Sequence, residues 1–127
     1  MTPIDVVLFC LAWNVYFEAR GEPQAGQHAV AEVTLRRADL SGRTVCEEVF
    51  EDRQFSWTQQ YSRPTVTNNK AWAKALEVAN TTLLFPTNYS RGATHFHNKT
   101  VKPKWSRQLC HATTINQHVF YKPCPNT

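Results

Sequence analysis

The chain has 127 residues, which is enough for one domain with a hydrophobic core and too few for two. A hydrophobic share of 42% with four tryptophans is typical of a folded protein and excludes an intrinsically disordered chain. The formal net charge of +4 favours polyanionic partners such as nucleic acid, anionic lipid or a cell-wall polymer, and charge alone does not choose between them.

The first predicted element is a helix that is apolar at nearly every position from Val6 to Phe17. Thr2 and Pro3 favour a helix start, and so continuous an apolar run predicts a helix that is buried on most sides. The run has no basic residue before Arg20 and is short for a bilayer. We therefore predict neither a signal peptide nor a membrane span.

Glu18 lies in the last turn of this helix, because Gly21 predicts its end and Pro23 the first turn of a second helix. Apolar surroundings disfavour the charged form of a carboxyl and raise its pKa, which a general acid requires at neutral pH. Asn14, four residues earlier, shares the face of Glu18, and the two predict the floor of a cleft. The alternative is a structural role, in which the Glu18 carboxylate accepts hydrogen bonds from backbone amides.

Three further helical segments and a small sheet are predicted downstream. The helical segments run from Pro23 to about Leu40, from Val45 to Phe50 and from Asn69 to Phe85. Residues 54–58 are expected to be extended, and residues 94–98, 113–115 and 118–121 are expected to form a small antiparallel sheet. The whole chain, 1–127, is predicted to be one domain.

The four cysteines match no metal-ligand spacing. Cys10 lies inside the apolar run, where a buried free thiol is expected. Cys110 and Cys124 flank the C-terminal segment and would be able to form a disulfide in an oxidising compartment. The state of Cys46 stays open.

Six segments carry a resemblance to a known family, in the same order and over essentially the whole chain. They are YFEARGEP at 16–23 with GQ and AVA after it, VCEEV at 45–49, QFS at 54–56, GATHFH at 92–97, PKW at 103–105 and HVFY at 118–121. The sequence resembles the SleB/CwlJ-type cell-wall hydrolases, which include spore-cortex lytic enzymes and many phage endolysins.

The resemblance implies an α+β, mainly α, lysozyme-like (lytic transglycosylase-like) single domain with a small antiparallel β element. It also implies cleavage of the MurNAc–GlcNAc bond of peptidoglycan by a lytic transglycosylase, with the catalytic glutamate at Glu18. A transglycosylase needs one carboxylate, because the 6-hydroxyl of the sugar replaces water as nucleophile, whereas hydrolysis usually needs two. A hydrolytic muramidase is the alternative; a zinc amidase or peptidase, or a non-catalytic wall-binding module, is more distant.

Seven further residues are candidates for substrate binding: Asn14, Glu22, Gln54, Ser56, His95, His97 and Trp105. Gln54 and Ser56 point to one side of an extended segment, as His95 and His97 do in theirs. Glu22 has an alternative role as a helix N-terminal acid paired with Arg20.

Several other side chains are assigned to the core or the surface. Trp105 is either a core residue or a platform on which a sugar ring stacks, Phe96 is a core residue, and His118 is structural. Six acidic residues are expected to be solvated: Glu22, Glu32, Glu47, Glu48, Glu51 and Asp52. The basic residues Arg36, Arg37, Lys99, Lys102, Lys104 and Arg107 are expected to form a solvated surface that suits anionic peptidoglycan.

No cofactor and no metal are predicted. His95 and His97 share a strand face, but the H-E-x-x-H spacing of zinc enzymes is missing, and no motif supports nucleic-acid binding. We expect a monomer that acts on peptidoglycan without stable membrane insertion. The absence of an export signal favours a phage endolysin, made in the host cytoplasm and released to the cell wall through a holin-type pore.

Overall fold

The computed structural model describes residues 3–50 and 65–125. Within these ranges, four α-helices precede a small sheet: α1 (Pro3–Ala19), α2 (Gln24–Ser41), α3 (Val45–Phe50) and α4 (Asn69–Leu84). The sheet contains β1 (His95–Asn98), β2 (Cys110–Ile115) and β3 (His118–Lys122), and a 3-10 helix, Lys104–Arg107, lies between β1 and β2. The predicted mainly helical architecture with a small antiparallel sheet is confirmed.

Helix α1 is the central helix of the domain and contacts α2, α3 and α4. Its side chains at Leu11, Val15 and Tyr16 are fully buried in the main hydrophobic core. The apolar run therefore has a packing partner on each side, as its composition predicts. Within the described ranges, no helix has both the length and the apolar character needed to span a membrane.

Helix α2 connects the helical core with the sheet. Every residue from Gly26 to Thr34 is buried. Val30 and Val33 pack with Ala93 and with Phe120 of the sheet in a second apolar cluster. Because α2 is covered on both sides, polar residues in it must find partners inside the protein.

The sheet is antiparallel, with the order β1–β3–β2, so that β1 is an edge strand. His95 pairs with Tyr121, and Asn98 pairs with His118. Strands β2 and β3 form a hairpin whose turn residue Asn116 has a φ of 50°, in the left-handed region that asparagine tolerates. The predicted strand at 113–115 begins earlier, at Cys110.

Two disulfides staple the chain. Cys10 of α1 is bonded to Cys46 of α3, so the prediction of a free buried thiol at Cys10 is wrong. The two sulfur atoms meet because α3 packs on α1. The apolar pattern within α1 does not reveal this contact between helices. The second disulfide joins Cys110 to Cys124 and connects the start of β2 to the segment after β3.

Glu32 is buried, with 4% of its surface exposed, and the prediction that it is solvated is wrong. Its carboxylate accepts four hydrogen bonds: from the Thr87 hydroxyl, from the Tyr89 amide, and from both the amide and the hydroxyl of Ser90. Four donors supply the solvation that burial removes. Glu32 thus shapes the segment that leads from α4 to β1.

Arg36 and Arg37 are also misassigned to the solvated surface. Arg36 donates hydrogen bonds to the carbonyl oxygen of Ala93 and to the hydroxyl of Ser90, and Arg37 donates to the carbonyl oxygen of Thr94 at 3.1 Å. Both guanidinium groups therefore hold the residues directly before β1 against α2.

The Cys10–Cys46 disulfide spans 36 residues, and its removal in Cys10→Ala/Cys46→Ala should lower the free energy of unfolding by about 4 kcal/mol through the loss of loop-closure restraint. The Cys110–Cys124 disulfide spans 14 residues, so the corresponding double variant should lose less, about 3 kcal/mol. Urea unfolding under non-reducing conditions measures both values. If the first pair of substitutions left the unfolding curve unchanged, the result would contradict a stabilising role of the Cys10–Cys46 disulfide.

Replacement of Glu32 by Ala should destabilise the protein by about 3 kcal/mol, because four donors lose a buried charged acceptor. Glu77→Ala on α4, whose side chain is 62% exposed, is the control and should change stability by at most about 0.5 kcal/mol. The measurement is the urea midpoint of each variant. Equal midpoints for the two variants would refute the role of Glu32.

Candidate functional site

A cleft of about 580 Å³ lies between the C-terminal end of α1, helix α2 and the edge strand β1. Its lining residues are Glu18, Val33, Arg37, His95, Phe96, His97, Asn98, Val101, Trp105 and His118. The Oε1 atom of Glu18 is buried, so protein rather than bulk water surrounds this oxygen. Glu18 is the one carboxylate among the lining residues in the described part of the chain.

Glu18 reaches the cleft because α1 ends directly after it. Gly21 has a φ of +86°, and a side chain there would meet no atom within 4 Å, so the backbone conformation alone requires glycine. The Glu22 amide donates to the carbonyl oxygen of Ala19 at 3.0 Å and closes the turn. The predicted helix end thus places the last-turn glutamate at the mouth of the helical core.

An aromatic wall stands on the β1 side of the cleft. The rings of His95 and His97 lie 5.0 and 5.7 Å from the ring of Trp105, and His97 stacks on Tyr121 at 5.3 Å. His97 Nδ1 lies 2.8 Å from the Asn98 carbonyl oxygen and Nε2 lies 3.1 Å from the Tyr121 hydroxyl. The carbonyl partner assigns the proton to Nδ1, which leaves Nε2 to accept from the tyrosine.

Arg37 is a cleft residue that the sequence analysis assigned to the surface. Its Nε lies 3.3 Å from Glu48 Oε2, and Glu48 is 2% exposed, so the prediction of a solvated Glu48 is also wrong. A signal for this position exists in the sequence, because Arg37 continues the helical face of Val30 and Val33. An arginine on an apolar helical face indicates an internal acidic partner.

His118 lines the cleft as well, although only a structural role was expected for it. Its Nδ1 lies 3.5 Å from Glu22 Oε1, and its ring lies 5.1 Å from that of Phe96. Burial lowers the pKa of His118, and the nearby Glu22 carboxylate opposes this effect.

Glu22 does not line the cleft; its carboxylate holds the β2–β3 hairpin. Oε2 accepts from the Asn116 amide group at 2.6 Å, and Oε1 accepts from the Gln117 backbone amide at 3.2 Å. Arg20, its expected alternative partner, instead donates a hydrogen bond to the Tyr16 hydroxyl. Glu22 therefore positions the hairpin from which His118 enters the cleft.

Apart from Glu22, the predicted site residues fall into three groups. Glu18, His95, His97 and Trp105 meet in the cleft. Asn14 is not among the lining residues; it is fully buried and accepts a hydrogen bond from the Thr34 hydroxyl. Gln54 and Ser56 lie outside the described residues. In the parts of the chain that the structure describes, no group of three or more His, Cys, Asp or Glu side chains is placed to hold a metal ion.

Comparison with known proteins identifies similar sequences. A family model described as cell wall hydrolase matches residues 21–121. A spore cortex-lytic enzyme from Bacillus cereus is 33% identical over 117 residues, which cover 88% of this chain and 42% of that enzyme. The chain thus spans less than half the length of the curated relatives that it matches.

Two solved structures are similar to this fold. The catalytic domain of the germination-specific lytic transglycosylase SleB from Bacillus anthracis is 30% identical, with a TM-score of 0.68 over 96% of this chain and 97% of that one. The catalytic domain of Bacillus cereus SleB is 29% identical, with a TM-score of 0.66 over 92% and 91% of the two chains. These likenesses confirm the predicted lysozyme-like fold class.

Burial lowers the pKa values of three histidines, His28, His95 and His118, and Arg37 adds to the effect at His95. As the pH falls through about 6.5, the histidines of the unfolded chain take up protons, whereas the same imidazoles in the folded protein stay neutral. The contribution of these histidines to the free energy of unfolding is therefore complete above that pH and is lost below it. Urea unfolding at pH values of about 7.5 and 5.5 should show this loss, and His118→Gln should reduce it.

The control for this experiment is His111→Gln, which replaces an exposed histidine and should retain the pH dependence of the unmodified protein. A His118→Gln variant whose stability falls as steeply as that of His111→Gln would contradict the assigned pKa direction.

Proposed function

Because the chain belongs to the cell wall hydrolase family, we propose that it cleaves the MurNAc–GlcNAc bond of peptidoglycan as a lytic transglycosylase, with Glu18 as general acid and base. The observation that carries the proposal is the position of Glu18, which enters the cleft from the end of the central helix opposite an aromatic wall. The likeness to the SleB catalytic domains over nearly the whole chain supports it.

In the proposed reaction, the Glu18 carboxyl donates its proton to the glycosidic oxygen as the bond from that oxygen to C1 of MurNAc breaks. The 6-hydroxyl oxygen of the same MurNAc forms a bond to C1, and the Glu18 carboxylate accepts the hydroxyl proton. The product carries a 1,6-anhydro ring, Glu18 regains its proton and no water is consumed. One carboxylate is sufficient for both transfers.

The aromatic wall supports a saccharide substrate. One side of the cleft is formed by the half-buried ring faces and edges of Trp105, His95 and His97. Flat apolar faces beside polar ring atoms suit the mixed apolar and hydroxylated surface of a sugar. Arg37, fixed by Glu48 and by the Thr94 carbonyl, adds a positioned cation to the cleft.

A hydrolytic muramidase is the competing reaction, and it would use a second carboxylate or a positioned water opposite Glu18. The described lining residues offer no second carboxylate, which favours the transglycosylase. Glu51 and Asp52 lie outside the described residues.

We further place the action of the protein at the cell wall, outside the reducing cytosol. The two disulfides support this location, because such bonds persist in oxidising compartments. The endolysin role, in which a monomeric protein made in the host cytoplasm reaches the wall through a holin-type pore, is the setting that we propose for it.

Glu18→Gln should fold normally and lose about 10³-fold in the rate of glycan cleavage, because an amide of similar shape cannot donate the proton. Mass spectrometry of fragments released from purified sacculi measures both rate and products. The unmodified protein should release anhydro-muramyl ends, and Glu77→Gln, at an exposed glutamate, should release them at the same rate.

Each other product has a definite meaning. Reducing MurNAc ends would show that water is the nucleophile and would replace the transglycosylase by the muramidase. Free stem peptides would refute glycan cleavage altogether. Full activity in Glu18→Gln would refute the role of Glu18.

A further inference from the structure

A second cavity, of about 460 Å³, adjoins the cleft at His97 and Val101. Three cations line it: Lys99, Lys102 and Arg107. We call this cavity the basic pocket. Among its described lining residues there is no carboxylate, and its volume is within the range of small-ligand sites, roughly 300–1,000 Å³.

The three cations have no ion-pair partner among the described residues. Arg37 pairs with Glu48 and Lys74 pairs with Glu77, whereas Lys99, Lys102 and Arg107 make no ion pair with any residue in the described ranges. Three like charges around one concave space raise its positive potential, which an anionic ligand would relieve.

The backbone that carries these cations is held in place before any ligand arrives. The Lys99 amide donates to the Gln117 carbonyl oxygen at 2.9 Å. The amides of Thr100 and Val101 donate to the side chain and the carbonyl oxygen of Asn98 at 3.0 and 3.1 Å. A fixed loop lowers the entropy that a bound ligand must overcome.

Arg107 is held in the same way. It ends the 3-10 helix, in which the Ser106 amide and hydroxyl donate to the Pro103 carbonyl oxygen at 3.0 and 2.7 Å. The Ser106 hydroxyl, whose proton is donated to Pro103, fixes this turn of backbone and leaves the Arg107 guanidinium as the donor to a ligand. A guanidinium suits the two oxygens of a carboxylate.

The basic pocket and the cleft share two lining residues, His97 and Val101. A ligand that occupies both cavities would therefore pass over the side chains of His97 and Val101. A peptidoglycan strand has this form, because its peptide branches from the MurNAc residue beside the bond to be cut and carries carboxylates.

We propose that the basic pocket binds carboxylates of the stem peptide while the glycan strand lies in the cleft. This inference rests on the proposed function, since it assigns the branch of the same substrate. It makes Lys99, Lys102 and Arg107 specificity residues that favour peptide-bearing glycan over bare glycan.

The test compares Lys99→Gln/Lys102→Gln/Arg107→Gln with a control of equal charge change, Lys70→Gln/Arg91→Gln/Lys122→Gln. All six side chains are exposed, so both variants should fold, which circular dichroism verifies. The substrates are glycan strands that retain their stem peptides and the same strands after an amidase has removed them. The first variant should lose about ten-fold in kcat/KM on peptide-bearing strands, which corresponds to about 1.4 kcal/mol, and keep its rate on bare strands.

Binding provides a second readout that does not depend on catalysis. In a Glu18→Gln background, calorimetry should show tighter binding of peptide-bearing strands than of bare ones, and the three pocket substitutions should abolish the difference. Equal losses on both substrates, as binding of the glycan itself or of wall phosphates would give, overturn the proposal, and so does an unchanged preference. Failure of the unmodified protein to cut either strand would refute the proposed function instead, and the calorimetric comparison would still decide the basic pocket.

Discussion

A helix that is apolar at nearly every position must be covered over most of its surface, and this constraint organises the domain. Helix α1 is contacted by α2, α3 and α4, and Leu11, Val15 and Tyr16 have no exposed surface. One end of such a helix is the place where a polar side chain can leave the core without crossing it. Glu18 occupies that place, so the same burial that stabilises the fold also sets the position of the proposed acid.

The elements could be predicted from the sequence, because each has a local signal. The apolar run before Gly21, the short segment Val45–Phe50 and the helix that ends near Pro86 depend on neighbours a few residues away. The Cys10–Cys46 bond and the burial of Glu32 have no such signal. They follow from how the helices pack, which periodicity within one helix does not specify.

The residues of the candidate site also divide into those with a local sequence signal and those whose position depends on packing. Glu18, His95 and His97 could be placed from a helix end and from strand alternation, and the structure brings them to one cleft. Arg37 was assigned to the surface because a charged residue is usually solvated, and His118 was assigned a structural role. Their real surroundings depend on Glu48 and Glu22, whose carboxylates reach them only after the helices and the hairpin have docked.

The hydrogen bonds of Glu32 also bear on the order in which the protein folds. They connect α2 to residues 55 to 58 positions further along the chain, whereas the turns of α1 and α2 close over four. Contacts between distant positions require loop closure first and form late in most domains. We therefore expect the local turns of α1 and α2 to form before the contacts of Glu32, so that the cleft, which also needs β1, is completed only after these helices exist.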